Sequence, residues 1–334
     1  MPKTAITGAS GKLGGAVLRN LLSHALIPAH DIVVTTSSGP TNPDDDDPRW
    51  QHARSLGVAV RHASYDDRGS MEAAFRGCSR LLLVSTPRIS MDFDDDAPPG
   101  AAGREAHHFA AIDAARAAGV RRVYYTSLGF GDDSKAGVMR AHNRTEAYLR
   151  GLSDDIAHTI IREGLYNESW PLYLGHGDLS GSDDDRAEIV VAGDGAISWA
   201  AIDDLGLATA TILVAGGEDD DDDDDDGKRY AGATVTLATT APVTLREVAA
   251  MVSAAKGRRV ELKLVGRAEH ERYYVERRGI GEAAYVRWWS TTYDALRDGE
   301  CEKRDPLLER ILAGYDGRRP KPIRETIEEM FARR

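Results

Sequence analysis

The residues with the strongest chemical implication open the chain. Gly8, Gly11 and Gly14 stand at three-residue intervals behind Thr7. They separate a short apolar stretch (Thr4, Ala5, Ile6) from a run carrying Leu13, Val17, Leu18, Leu21 and Leu22 at helical spacing. A strand that turns through glycines into a helix leaves free N–H groups at the helix N-terminus, where the helix dipole also favours an anion. One glycine makes the tight turn, one lets the backbone approach a pyrophosphate, and one lets the helix pack on its strand. The chemistry implied is capture of a dinucleotide, with Gly8, Ser10, Gly11, Lys12, Leu13 and Gly14 around its phosphates.

The position about twenty residues past the glycines separates the two nicotinamide dinucleotides. An acidic residue there would grip the ribose 2′-hydroxyl and repel a 2′-phosphate. This chain offers Thr36, Ser37 and Ser38, with Lys12 as a nearby cation. Hydroxyl donors and a lysine suit a phosphate, so the expected cofactor is NADP(H). Further contacts are expected where strands end: Tyr65 at the adenine, Ser85-Thr86-Pro87 at the carboxyl edge, and Tyr166 with Trp170 as pocket wall.

The elements that must position these residues alternate in type. Asp31–Ser38, Val58–His62, Leu81–Val84, Val123–Thr126 and Ala157–Ile161 read as strands, and Leu81–Val84 is apolar throughout, as in a strand covered on both faces. Helices are expected around Ser70–Arg76, over Arg104–Ala118 closed by Gly119, over Leu205–Val214 with Asp204 as N-cap, and from near Thr244 to Gly257. Strands alternating with helices imply an α/β, doubly wound parallel sheet. His107 and His108 fall on one helix; neighbours in sequence point to different faces, so a structural role is expected and no metal site. The remainder, to Arg334, reads as mostly helical, with Tyr273, Tyr274, Tyr285, Trp288, Trp289 and Tyr293 clustered.

Composition narrows the class. The 334 residues suffice for a sizeable core, and Cys78 and Cys301 suggest neither a disulfide framework nor a metal centre. The net charge of −12 comes from four aspartate runs, Asp44–Asp47, Asp94–Asp96, Asp183–Asp185 and Asp219–Asp226; without those 18 residues it would be +6. Each run sits among Pro, Gly or Ser residues and reads as an exposed, solvated loop. The acidic balance argues against nucleic acid or a membrane surface as partner. A first strand near Met1 leaves no room for a signal peptide, and no apolar stretch is long enough to span a membrane, so a cytoplasmic protein is expected.

Four segments in order carry a resemblance: Thr7–Gly14, Ala114–Val120 running into Tyr125-Thr126-Ser127-Leu128, His142-Asn143-Arg144-Thr145-Glu146, and Arg162–Glu168. Together they are similar to the NmrA-like branch of the atypical short-chain dehydrogenase/reductases, and most of all to the type-2 NADPH quinone oxidoreductases. The resemblance implies an NAD(P)-binding Rossmann fold over residues 1–156, completed by about 196–255. It implies a smaller, mostly helical substrate-binding domain from 157–195 and 256–334. The wider superfamily places Tyr-x-x-x-Lys on the helix after the serine-bearing strand. Registered on Glu146, that motif becomes Val138 and His142, so the tyrosine acid is missing, and Ser64 stands where relatives often place an adenine-reading aspartate. Losing a positioned acid costs a carbonyl reduction about 10²–10⁴ in rate, and a quinone or enone less. His142 is then the candidate to hold the nicotinamide ribose or deliver a proton, and Ser127 the candidate oxyanion donor. The readings are an NADPH-dependent reductase of quinones or other conjugated carbonyls, or an NADP(H)-responsive regulator without turnover. A small-molecule substrate is the expected partner, and a homodimer is compatible with either reading.

Overall fold

Alternation along the strands sets the architecture. The computed structural model describes residues 3–37, 48–93, 98–175, 186–215, 230–279 and 282–332; Ser38 and all four aspartate runs lie outside the described residues. The first half runs β1 (Lys3–Ile6), α1 (Lys12–Ser23), β2 (Ile32–Thr36), α2 (Pro48–Ser55), β3 (Ala59–His62), α3 (Arg68–Phe75), β4 (Cys78–Val84), α4 (Arg104–Ala117), β5 (Arg122–Leu128), α5 (Gly137–Gly151) and β6 (Ala157–Glu163). The second half runs α6 (Trp170–Tyr173), β7 (Glu188–Val191), β8 (Ala196–Ile197), α7 (Ile202–Ala215), β9 (Thr234–Leu237), β10 (Val243–Thr244), α8 (Leu245–Lys256), β11 (Glu261–Leu264), α9 (Arg267–Arg272), α10 (Ala283–Arg297), α11 (Leu307–Ala313) and α12 (Ile323–Ala332).

Seven strands form one parallel sheet in the order β3-β2-β1-β4-β5-β6-β9. Because successive side chains point to opposite faces, Ile6, Val34, Leu82, Tyr124 and Ile161 enter one core with α1, α7 and α11. Ala5, Val33, Leu81, Leu83, Val123, Tyr125 and Ile160 enter the other, against α3, α4 and α5. Both faces are covered, which explains the unbroken apolar strands. The order reverses between β1 and β4, and such a switch point opens a crevice at the carboxyl ends of the strands.

A third core joins α8, α10 and α12 with two small sheets, antiparallel β8·β10 and parallel β7·β11. The expected division at residue 157 is corrected here: β6 belongs to the large sheet, paired with β5 along its full length. The completing segment is also mixed, since α7 and β9 serve the large sheet while Leu245, Val248 and Val252 of α8 pack in the third core. The helix from Thr244 to Gly257 has its expected ends, a reciprocal Thr244–Glu247 capping box and Gly257 at φ +64°.

Asp204 is not an N-cap. It lies inside the first turn of α7, buried, with its carboxylate accepting from Arg318 Nε (3.0 Å) and Nη2 (2.6 Å) and from the Lys321 backbone N–H (2.7 Å). It ties the segment before α12 to the large sheet's helical layer. Of the C-terminal aromatics, Tyr274, Trp288, Trp289 and Tyr293 are buried in packed clusters. Trp170, expected as pocket wall, is also core, with its ring 6.1 Å from that of Phe331.

Candidate active site

The floor of the crevice is made by Thr7. Its N–H donates to Leu82 O and its Oγ1 accepts from Val84 N–H at 3.0 Å, locking the ends of β1 and β4 together. The chain then turns through Gly8 at φ +63°, a backbone region that L side chains rarely adopt. Gly14, one turn into α1, packs directly on that turn. A Cβ there would lie 2.8 Å from the Gly8 carbonyl carbon. Gly11 caps α1 with no side-chain hydrogen bond, and the first turn holds no acidic residue, so the helix start presents bare N–H groups and uncompensated positive dipole. That is the donor set a pyrophosphate needs, and the turn fits one.

Around this turn lies a cleft of about 420 Å³. It brings together Gly8, Ser10, Gly11, Lys12, Leu13, Gly14, Thr36, Ser37, Tyr65, Ser85, Thr86, Pro87 and Tyr166 from five separate segments. Ser64 also lines it. Tyr65 is held by a 3.1 Å hydrogen bond from its hydroxyl to Val84 O, and its ring stacks on His107 with centroids 5.2 Å apart and planes 3° apart. A flat wall of that kind suits a purine face. The sequence reading missed Arg88, which directly follows Pro87, lines the same cleft and forms a bidentate pair with Asp66 at 2.8 and 2.7 Å.

His107 and His108 diverge. His107 faces Tyr65 and Asp66, whereas His108 is fully enclosed beneath the strand-end wall. His108 Nε2 lies 3.2 Å from both the Thr86 backbone nitrogen and Ser85 Oγ, and its Nδ1 lies 2.9 Å from Thr145 Oγ1. Burial, with the charge of Arg104 next, pushes the imidazole well below its ordinary pKa. Among the described residues no group of three or more His, Cys, Asp or Glu could hold a metal ion.

His142 does not line the cleft. It is buried on α5, and its Nδ1 lies 2.9 Å from the hydroxyl of Tyr125, which is enclosed on β5. Burial, then Arg104, His108 and Arg162, hold its pKa well below the ordinary value, so the expectation of a histidine titrating near neutral pH is corrected. Ser127 is corrected too. Its Oγ donates to Glu146 Oε1 at 2.6 Å, and Glu146 also receives Arg162 Nε (3.0 Å) and Nη2 (2.7 Å). A hydroxyl committed to a buried carboxylate is not free to meet an oxyanion. Val138, at the missing tyrosine's position, packs against the third core. Its carbonyl accepts from Arg104 Nη2 at 2.8 Å. Arg104 also donates to Ser85 Oγ and pairs with buried Asp92 at 2.7 Å, tying the start of α5 to the cleft wall.

Known proteins are similar to this chain in sequence and fold. A family model described as NAD(P)H-binding matches residues 8–171. An NmrA-like family domain-containing oxidoreductase of Aspergillus flavus is 29% identical over 98% of this chain and 94% of its own length. The NADPH-dependent quinone oxidoreductase of Escherichia coli, solved with NADPH, superposes with a TM-score of 0.76 at 25% identity, covering 98% of this chain and 99% of that one. A triphenylmethane reductase of a Citrobacter species, solved with NADP(H), gives 0.73 at 26% identity over 98% and 100%. Among the described residues no helix is long and apolar enough to cross a membrane. With its glycine turn, its seven-stranded sheet and these full-length likenesses, the chain is similar to NmrA-like, NAD(P)H-binding oxidoreductases.

Proposed function

We propose that this NADPH-dependent oxidoreductase transfers hydride to a quinone or another conjugated carbonyl. The observation that carries the reading is that, among the described residues, neither group expected as the acid or oxyanion donor on β5 and α5 is free at the site. Val138 replaces the tyrosine, and Ser127 is bonded to Glu146. Tyr125 is enclosed, with its phenol pushed up by burial. A simple ketone needs its alkoxide protonated as hydride arrives; a conjugated acceptor carries the charge to a distant oxygen that water can protonate. The likeness to a quinone oxidoreductase and a triphenylmethane reductase supports an acceptor of that electronic type.

Bound NADPH supplies the hydride. The chain's own part is to orient it: the N-terminus of α1 with Gly8, Gly11 and Gly14 takes the pyrophosphate, Lys12, Thr36 and Ser37 take the 2′-phosphate, and Tyr65 takes the adenine. Ser85, Thr86, Pro87 and Tyr166 wall the reacting end, and buried His142 lies behind that wall, joined to it through Tyr125 and His108. The third-core lobe holds the acceptor. The test is decay of NADPH absorbance against a panel of quinones, enones and simple ketones. Turnover of quinones or enones with ketones inert is expected. Ketone reduction at comparable kcat/KM would overturn the reading, and tight NADPH binding with no turnover of any acceptor would favour a dinucleotide-responsive regulator instead.

A further inference from the structure

Three buried side chains from three elements meet beneath the cleft wall: His108 of α4, Tyr125 of β5 and His142 of α5. Their hydrogen bonds to one another and to Thr86 and Thr145 favour one arrangement of protons. The Thr86 backbone nitrogen can only donate, so His108 Nε2 accepts and carries no proton. Thr145 donates its own hydroxyl proton to Ala141 O at 2.7 Å, so Thr145 Oγ1 accepts from His108 Nδ1–H. His108 is therefore neutral and protonated on Nδ1. Tyr125 lies 3.3 Å from that same Nδ1 and 2.9 Å from His142 Nδ1. A protonated Nδ1 on His108 cannot receive the phenolic proton, so Tyr125 donates it to His142 Nδ1. The remaining proton of neutral His142 then sits on Nε2. His142 itself is buried, and its Nε2 has no hydrogen-bond partner among the described residues.

We infer that His108 and Tyr125 are positioning residues that fix His142 as the neutral Nε2–H tautomer, so that this buried chain acts on the reaction by holding the Ser85–Thr86 wall of the cleft and not by giving up a proton. The inference rests on the reductase reading of His142. A charged His142 would place an N–H against Tyr125 on both sides and strand the phenolic proton in a buried site. The charged and titratable groups around it act the same way. Arg104 and His108 on α4 and Arg162 on β6 disfavour a second proton, and Glu146, one turn along α5, is occupied by Ser127, Arg162 and Arg150. Since His108 also holds the Thr86 and Ser85 wall, the chain links His142's ring orientation to the lining of the cleft.

Nitrogen-15 spectra of histidine-labelled protein read the tautomers directly, with His142 assigned by its loss in His142→Gln. His142 is expected as neutral Nε2–H, and His108 as neutral Nδ1–H, at pH 7. A His142 that is Nδ1–H or charged at pH 7 would overturn the inference, whatever the protein reduces. Turnover supplies the second arm. Tyr125→Phe keeps the buried ring and should lower kcat for a quinone about tenfold with little change in NADPH affinity. His142→Gln, which keeps a neutral donor, should retain more turnover than His142→Ala. Wild-type kcat in Tyr125→Phe would also overturn the inference. Wild-type kcat in His142→Ala would likewise overturn the part given to His142.

Discussion

Ser127 Oγ lies 2.6 Å from Glu146 Oε1, directly beside the level at which Tyr125 meets His142, so β5 and α5 are joined by two polar rungs. The two rungs do different work. The Tyr125 rung ends on a buried neutral imidazole, while the Ser127 rung ends on a carboxylate already neutralised by Arg162. Ser127→Ala should therefore cost stability, about 1.5–3 kcal/mol for a hydrogen bond to a buried charge, with kcat for a quinone within about twofold of wild type. Urea unfolding and steady-state rates measured together check this. A tenfold loss of kcat at unchanged stability would restore the serine to the chemistry.

Gly14 is a packing requirement as much as a phosphate contact. Alanine at this position would press its methyl group onto the backbone carbonyl of Gly8, which cannot move aside as a flexible side chain would. Gly14→Ala should lower stability by about 1–3 kcal/mol through overpacking and weaken NADPH binding by displacing α1 from its turn. Thermal unfolding with and without NADPH reads both effects. A variant with wild-type midpoint and affinity would show that the turn is more pliable than its geometry implies.

Lys12 is exposed at the start of α1 and lines the cleft with Thr36 and Ser37. Lys12→Ala should narrow the preference for NADPH over NADH by about 1.5–3 kcal/mol, the usual size of a charge-assisted hydrogen bond. Paired dissociation constants for the two dinucleotides check it. An unchanged ratio would shift the 2′-phosphate to another cation, with Arg88 the next candidate on the same cleft.

The sheet was legible because burial on both faces leaves a local mark: Leu81–Val84 is apolar at every position and runs into Ser85. The cleft was legible for the same reason, since residues at successive carboxyl ends must meet at one edge. What the sequence could not show depends on contacts between distant residues. The partners of Asp204 are Arg318 and Lys321, more than a hundred positions away, so a local capping role was the natural reading. Tyr125 and His142 meet only because β5 and α5 pack, and nothing in either segment marks a tautomer. The aromatics from Tyr273 to Tyr293 have the composition of a pocket wall and of a core alike, and only packing tells them apart.

Glu163 ends β6 in complete burial. Thr209 Oγ1 donates to its Oε1 at 2.7 Å, and its Oε2 is buried with no partner. Burial pushes the carboxyl from 4.5 up to about 8, with the Thr209 bond only partly opposing it. In the folded protein the group therefore keeps its proton at neutral pH, and in the unfolded chain it has lost it. Between about pH 4.5 and 8 the native state binds the extra proton, so stability falls as pH rises through that window and levels off above it. The whole effect is roughly 3–5 kcal/mol. Glu163→Gln keeps an acceptor for Thr209 and places an uncharged amide where the lone oxygen stands. The variant should match wild type near pH 4.5 and gain on it steadily towards pH 8, with a higher thermal midpoint there. A gap between the two proteins that is constant across the same pH range would mean that Glu163 does not titrate in this window. A gap that narrows towards pH 8 would reverse the assigned direction of its shift.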